Sequence, residues 1–149
     1  MRISSNIKVS SRLAAIAEAL PLRPGIRILE IGCGTGLLAR ELISRCPDVH
    51  VLAIDRSSKA IGKAMEASAA EIATGRLTYR TVAVECFKLL PGESRFDIAI
   101  AVRVGALDGR HPELGSLALP RIAKALTSCG TLFIDGGSPL RELSLDSYR

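Results

Sequence analysis

Apolar residues recur along this chain with two alternating periods. In "SSRLAAIAEAL" Leu13, Ile16, Ala17 and Leu20 fall at i, i+3, i+4 and i+7, the spacing of one face of a short helix. Pro21, Pro24 and Gly25 in "LPLRPG" end that helix and turn the chain. Ile26 to Ile31 reads as a first strand. A helix to Cys46 follows, with Thr35 as its N-cap, Leu38 and Leu42 on one face and Pro47 beyond its end. Val49 to Ile54 is a second strand, after which Ser57 or Ser58 opens a helix whose Ile61, Ala64, Met65, Ala69 and Ile72 keep helical spacing until Gly75. A third strand is expected around Leu77 to Val84, a fourth from about Asp97 to Val102, and a fifth over Thr131 to Asp135. The helix between the last two is expected over Ser116 to Leu126, with Pro120 kinking it without destroying it.

Strands one, two, four and five are apolar on both faces, which fits a parallel sheet covered by helices on each side. The alternation of strand and helix makes the chain α/β and doubly wound. At 149 residues and 48% hydrophobic content, it is expected to be one domain over residues 1–149.

Composition narrows the chemistry. Trp is absent and aromatics are 3% of the chain, so the core must be aliphatic and an aromatic platform for stacking nucleic-acid bases is not expected. The net charge of +5 comes from scattered Lys and Arg, a pattern that serves solubility before it serves an anionic partner. Cys33, Cys46, Cys86 and Cys129 form no C-x-x-C pair and no zinc set, and read as buried thiols of a reducing, cytoplasmic environment. The basic, serine-rich start imitates a targeting peptide, but the helical spacing from Leu13 feeds directly into the fold. No apolar stretch approaches the ~20 residues that span a bilayer.

The first strand runs into "ILEIGCGTG", Ile28 to Gly36, with glycines at 32, 34 and 36. At the end of a parallel strand such glycines let the backbone turn sharply and let a ligand approach the amides of the next helix. Asp55 ends strand two, 19 residues after Gly36, where an acid in such folds accepts hydrogen bonds from a ribose diol; capping the helix beside Ser57 is its other reading. A dinucleotide fingerprint would need its third glycine at position 37, which is Leu37, so NAD is disfavoured. Glu30, inside an apolar strand, is costly to bury unpaired and so asks for a cationic partner, unless amides of the glycine turn satisfy it.

"ILEIGCGTG" followed by "VLAID" resembles the first two motifs of the class I S-adenosylmethionine-dependent methyltransferases, and the similarity runs from the leading helix to "GTLFID". It implies a Rossmann-like, mainly parallel sheet in the order 3-2-1-4-5. It further implies that Glu30 helps hold the methionine amino group, that Gly32, Cys33, Gly34 and Gly36 line the methionine and ribose path, and that Asp55 takes the ribose hydroxyls with Arg56 beside the adenine. Glu85 would accept from the adenine amino group, Cys86 would offer its backbone amide to the ring, and the backbone around Val102 and Arg103 would close over the methionine end. S-adenosylhomocysteine would be the product.

Methyl transfer from a sulfonium needs positioning more than a catalytic side chain. Where the acceptor must lose a proton, the candidate bases are His111, Asp108 and Asp135. The segment after strand four, "AVRVGALDG", lacks the Asn/Asp-Pro-Pro-aromatic signature of relatives that methylate amino groups of nucleic acids or glutamine, and Cys46-Pro47 reverses the Pro-Cys of cytosine C5 enzymes. A small-molecule acceptor is therefore expected, with RNA or protein open. The alternatives are a module that binds S-adenosylmethionine or its product without turnover, as a partner subunit, and behind it a nicotinamide-dependent oxidoreductase. After strand five only one short extra strand fits, around Leu140 to Leu145; the uncovered edge predicts a homodimer through it or a tail folded over it.

Overall fold

A computed structural model describes residues 10–149. Six strands form one sheet in the order β3-β2-β1-β4-β5-β6. They are β1 (Arg27–Ile31), β2 (His50–Asp55), β3 (Leu77–Thr81), β4 (Phe96–Ala101), β5 (Leu126–Asp135) and β6 (Leu140–Leu143). The first five run parallel and β6 pairs antiparallel with β5 over residues 132–135. This is the Rossmann-like order expected, with the one short extra strand, β6, paired to β5 as the edge of the sheet.

Alternation along β1 builds a core on each face. Ile28 joins Ile16, Leu38 and Leu42 beneath α1 (Ser11–Ala19), α2 (Leu37–Arg45) and α3 (Ser58–Ala67). Leu29 and Ile31 point the other way and pack with Phe87, Phe96 and Ile122 beneath α5 (Pro112–Ala125). Each of these side chains is fully or almost fully buried, and burial of one such chain contributes about 1.5–3 kcal/mol. The central position of β1 sends its carboxyl end, and Glu30 with it, between the tips of β2 and β4.

Several boundaries differ from the sequence reading. Gly36, in the left-handed region at φ +88°, takes the N-cap of α2 in place of Thr35, and no side chain caps that helix. Ser57 settles the other choice, its Oγ accepting from the Ala60 amide at 3.1 Å. The helix expected to run on to Gly75 breaks at fully buried Ser68 into α3 and the short α4 (Ala69–Ala73). Strand β3 stops at Thr81, because its ladder with β2 ends at the Asp55–Thr81 pair; Val84–Cys86 forms a single 3-10 turn instead of strand. Pro112 starts α5 four residues ahead of Ser116, at a position where its missing N–H costs nothing, and β5 begins at once at Leu126, not at Thr131. Cys33 and Cys46 are buried, but Cys86 and Cys129 are exposed and do not fit the expectation of four buried thiols. No helix among the described residues is long and apolar enough to cross a membrane.

Candidate functional site

The glycine turn is fastened both to itself and to the end of β2. All three glycines have positive φ, at +69°, +56° and +88°. The Cys33 N–H donates to Ile54 O at 2.9 Å, and the Gly36 N–H donates to Cys33 O at 3.0 Å. The glycines are required for different reasons. A Cβ on Gly36 would overlap the Tyr79 hydroxyl and come within 2.9 Å of Arg40 Nη1, whereas a Cβ on Gly34 would project into open space. Gly36 thus serves internal packing, and Gly34 keeps the strand tip bare.

Asp55 takes the capping place beside Ser57 and a second bond from the glycine turn. Its Oδ2 accepts from the Gly34 amide at 2.9 Å and its Oδ1 from the Ser57 amide at 2.9 Å. One bond to each oxygen leaves lone pairs free, so the turn and the start of α3 are tied together by a carboxylate that can still accept from a ligand.

Glu30 lies on the α2 side of β1, 5% exposed. Its Oε1 is buried and has no hydrogen-bond partner among the described residues, so the amides of the glycine turn do not satisfy it. Burial, with the charge of Asp55 added, pushes its carboxyl up to about 8 against the pull of Arg40. Burial first, and then the same two acids, push the Cys33 thiol up as well, leaving it protonated and unreactive. Arg40 cannot answer Glu30 fully because its Nη1 donates to Thr35 O and to Ser68 Oγ, and Ser68 also shares a 2.8 Å hydrogen bond with the Tyr79 hydroxyl.

Beyond the strand tips opens a cleft of about 330 Å³. Gly32, Asp55, Arg56 and Glu85 line it on the β1–β3 side, with Val82 and Ala83 as its apolar floor. Arg103, Val104, Gly105, Arg110 and His111 line the other side. Of the residues singled out from sequence, Gly32, Asp55, Arg56, Glu85, Arg103 and His111 meet here, while Glu30 and Gly34 sit behind the strand tip. Cys33 and Gly36 are turned into the protein. Val102 packs against the core on the α1–α2 face, and Cys86 is exposed with its N–H already donated to Ala83 O at 2.9 Å.

The candidate bases separate in the same way. Only His111 reaches the cleft, against Gly105, where a Cβ would come within 2.6 Å of His111 Cδ2. Asp108 is bound through both oxygens by Arg110 Nε, which holds its carboxyl below the usual range. Asp135 accepts from the Arg103 amide at 3.0 Å and from Arg12 Nη2 at 2.6 Å; these outweigh partial burial and hold it below the usual range too. Carboxylates so stabilised in the charged form are weak bases at neutral pH. Val104, Gly105 and Arg110 are site residues the sequence reading missed; the glycines at 105 and 109 were the available signal of a tightly folded loop.

Comparison with known proteins agrees with this layout. A phosphoethanolamine N-methyltransferase 2 of Haemonchus contortus, in complex with S-adenosyl-L-methionine, superposes with TM-score 0.67 at 26% identity, over 83% of this chain and 27% of its own. Coclaurine N-methyltransferase, bound to N-methylheliamine and S-adenosylhomocysteine, superposes with TM-score 0.66 at 17% identity, over 82% and 34%. The [4+2]-cyclase SpnF does so with TM-score 0.66 at 22% identity, over 82% and 42%, so the fold alone does not dictate methyl transfer. The chain spans less than half the length of these three proteins. No curated protein matches the sequence. A family model described as a methyltransferase domain matches residues 28–130, well over half of the chain, and with the strand order and the glycine turn it shows that this protein belongs to the class I S-adenosylmethionine-dependent methyltransferases.

Proposed function

We propose that this chain binds S-adenosylmethionine across the tips of β1 and β2 and transfers its methyl group to a small-molecule acceptor in the cleft beside it. The observation that carries the reading is the buried, unpartnered Oε1 of Glu30 directly behind the glycine turn. A carboxylate in that position is expensive unless a cation meets it, and an ammonium reaching past Gly34 would do so. Asp55 retains free lone pairs for two hydroxyls, Glu85 and Arg56 stand beside Val82 and Ala83, and Gly32 lets Val104 pack close against the strand tip. S-adenosylmethionine, when bound, supplies a methyl group on a positively charged sulfur, ready for in-line displacement.

The residues of the chain then have positioning and desolvation to perform. Glu30 and Asp55 fix one partner, the β4–α5 loop walls off the other, and His111 stands where it can take a proton from an acceptor that must lose one. A small acceptor suits a cleft of this volume, and a second structure of the nematode enzyme holds phosphomonomethylethanolamine with S-adenosylhomocysteine. Calorimetry with S-adenosylhomocysteine tests the reading. Binding is expected, and Asp55→Ala should weaken it by about 1–3 kcal/mol through loss of charge-assisted hydrogen bonds. Absence of binding to the unaltered protein sinks the proposal, and binding without product from any acceptor leaves a non-catalytic module.

A further inference from the structure

The two sides of the cleft differ in charge. Toward β2 and β3 stand the carboxylates Asp55 and Glu85, offset by Arg56. Toward α5 stand Arg103, Arg110 and His111, with no carboxylate among the lining residues on that side. Arg103 is the only non-glycine residue of the described chain with positive φ, at +58°, a conformation that side chains other than glycine adopt at a cost. Both of its backbone groups are fastened: its N–H donates to Asp135 Oδ1 at 3.0 Å, and its carbonyl accepts from Arg110 Nη2 at 3.0 Å. Its guanidinium makes no hydrogen bond or ion pair among the described residues, although Asp108 neutralises Arg110 next to it. A strained backbone held at both ends, with an uncommitted guanidinium at the mouth of a cleft, is built to present that group to something.

We propose that the acceptor carries an oxyanion, a phosphate or a carboxylate, and that Arg103 is the residue that reads it. The planar guanidinium matches both anions through paired N–H donors. An anion there also draws the acceptor in beside a positively charged donor without competing for Asp55 or Glu85. The inference rests on the proposed donor site across β1 and β2, which leaves this side of the cleft free.

Inorganic phosphate is the probe, titrated into the isotopically labelled full chain with and without saturating S-adenosylhomocysteine while backbone amide resonances are followed. In the unaltered protein phosphate is expected to shift the amides of residues 103–114. Arg103→Gln should weaken that response at least tenfold and Arg103→Lys should keep part of it. Lys63→Gln, on the exposed face of α3, should leave it unchanged. Affinity for S-adenosylhomocysteine is measured on Arg103→Gln in parallel, since only the backbone at this position is expected beside the donor. Acetate in place of phosphate separates carboxylate acceptors from phosphate ones. A phosphate response that survives Arg103→Gln, or that maps elsewhere, overturns the proposal. So does a variant that loses S-adenosylhomocysteine while the product expels phosphate, because the guanidinium would then serve the donor's own carboxylate. If the unaltered protein fails to bind S-adenosylhomocysteine, the donor site falls instead, and the titration on the free protein still decides the oxyanion subsite.

Discussion

The two loops that flank the cleft reach left-handed backbone geometry by opposite means. In the turn after β1, glycines at 32, 34 and 36 adopt positive φ with no Cβ to resist it. In the loop after β4, Arg103 adopts a similar φ only because Asp135 holds its amide and Arg110 its carbonyl. The first conformation is written into the residues that adopt it. The second is imposed by partners up to 32 positions away. A turn of the first kind survives as a local unit, and one of the second kind is only as firm as its tertiary contacts.

Substitution should break this contrast most severely at Gly36. Alanine there meets both the unfavourable φ and the Tyr79 hydroxyl, so Gly36→Ala is expected to cost about 2–4 kcal/mol in urea unfolding. Gly34→Ala, with open space around its Cβ, should cost about 1 kcal/mol, the backbone share alone.

Glu30 gives the next largest effect, with the opposite sign. Its folded carboxyl holds a proton up to about pH 8, whereas the unfolded chain releases it near the ordinary value of 4.5. The folded state therefore binds the extra proton between those limits, and stability should fall as pH rises across that window and level off above it. Glu30→Gln should abolish the slope and gain about 1–3 kcal/mol near pH 7, while weakening S-adenosylhomocysteine. Urea midpoints at pH 5, 7 and 8.5 would show it, and identical slopes in the two proteins would refute the burial argument.

An effect as small as that of Gly34→Ala is expected at Asp135, half of whose role is its pair with Arg12. Asp135→Asn should cost about 1 kcal/mol, loosening the Arg103 loop and leaving the glycine turn intact in hydrogen exchange. Because its carboxyl is held below the usual range, that contribution is present above pH 4 or so and disappears as pH falls through the lowered value.

How much of this was legible in the sequence follows from the same contrast. The strands themselves, the glycine turn and the place of Asp55 at the end of β2 were readable because periodicity and glycine placement are local properties, whereas the strand order was implied by the family resemblance. The burial of Glu30 was readable too, from its apolar neighbours. The early end of β3, the loss of Thr35 as a cap and the break at Ser68 were not, since each depends on what lies across from it: the end of a ladder, a tyrosine hydroxyl, an arginine from α2. The basic side of the cleft was the least legible. Nothing around "RVGALDGRH" announces that Arg103 will be strained and fastened, because the fastening comes from the tip of β5 and from the guanidinium of Arg110.

Asp135 also reaches 123 positions back to Arg12, so one carboxylate joins the opening helix, the last parallel strand and the bend that carries Arg103. Contacts between segments so remote come together only after most of the chain has already been ordered. A molecule in which α1 has not docked would present a finished glycine turn beside an unfinished loop, and completion of the cleft would be recorded at a single side chain.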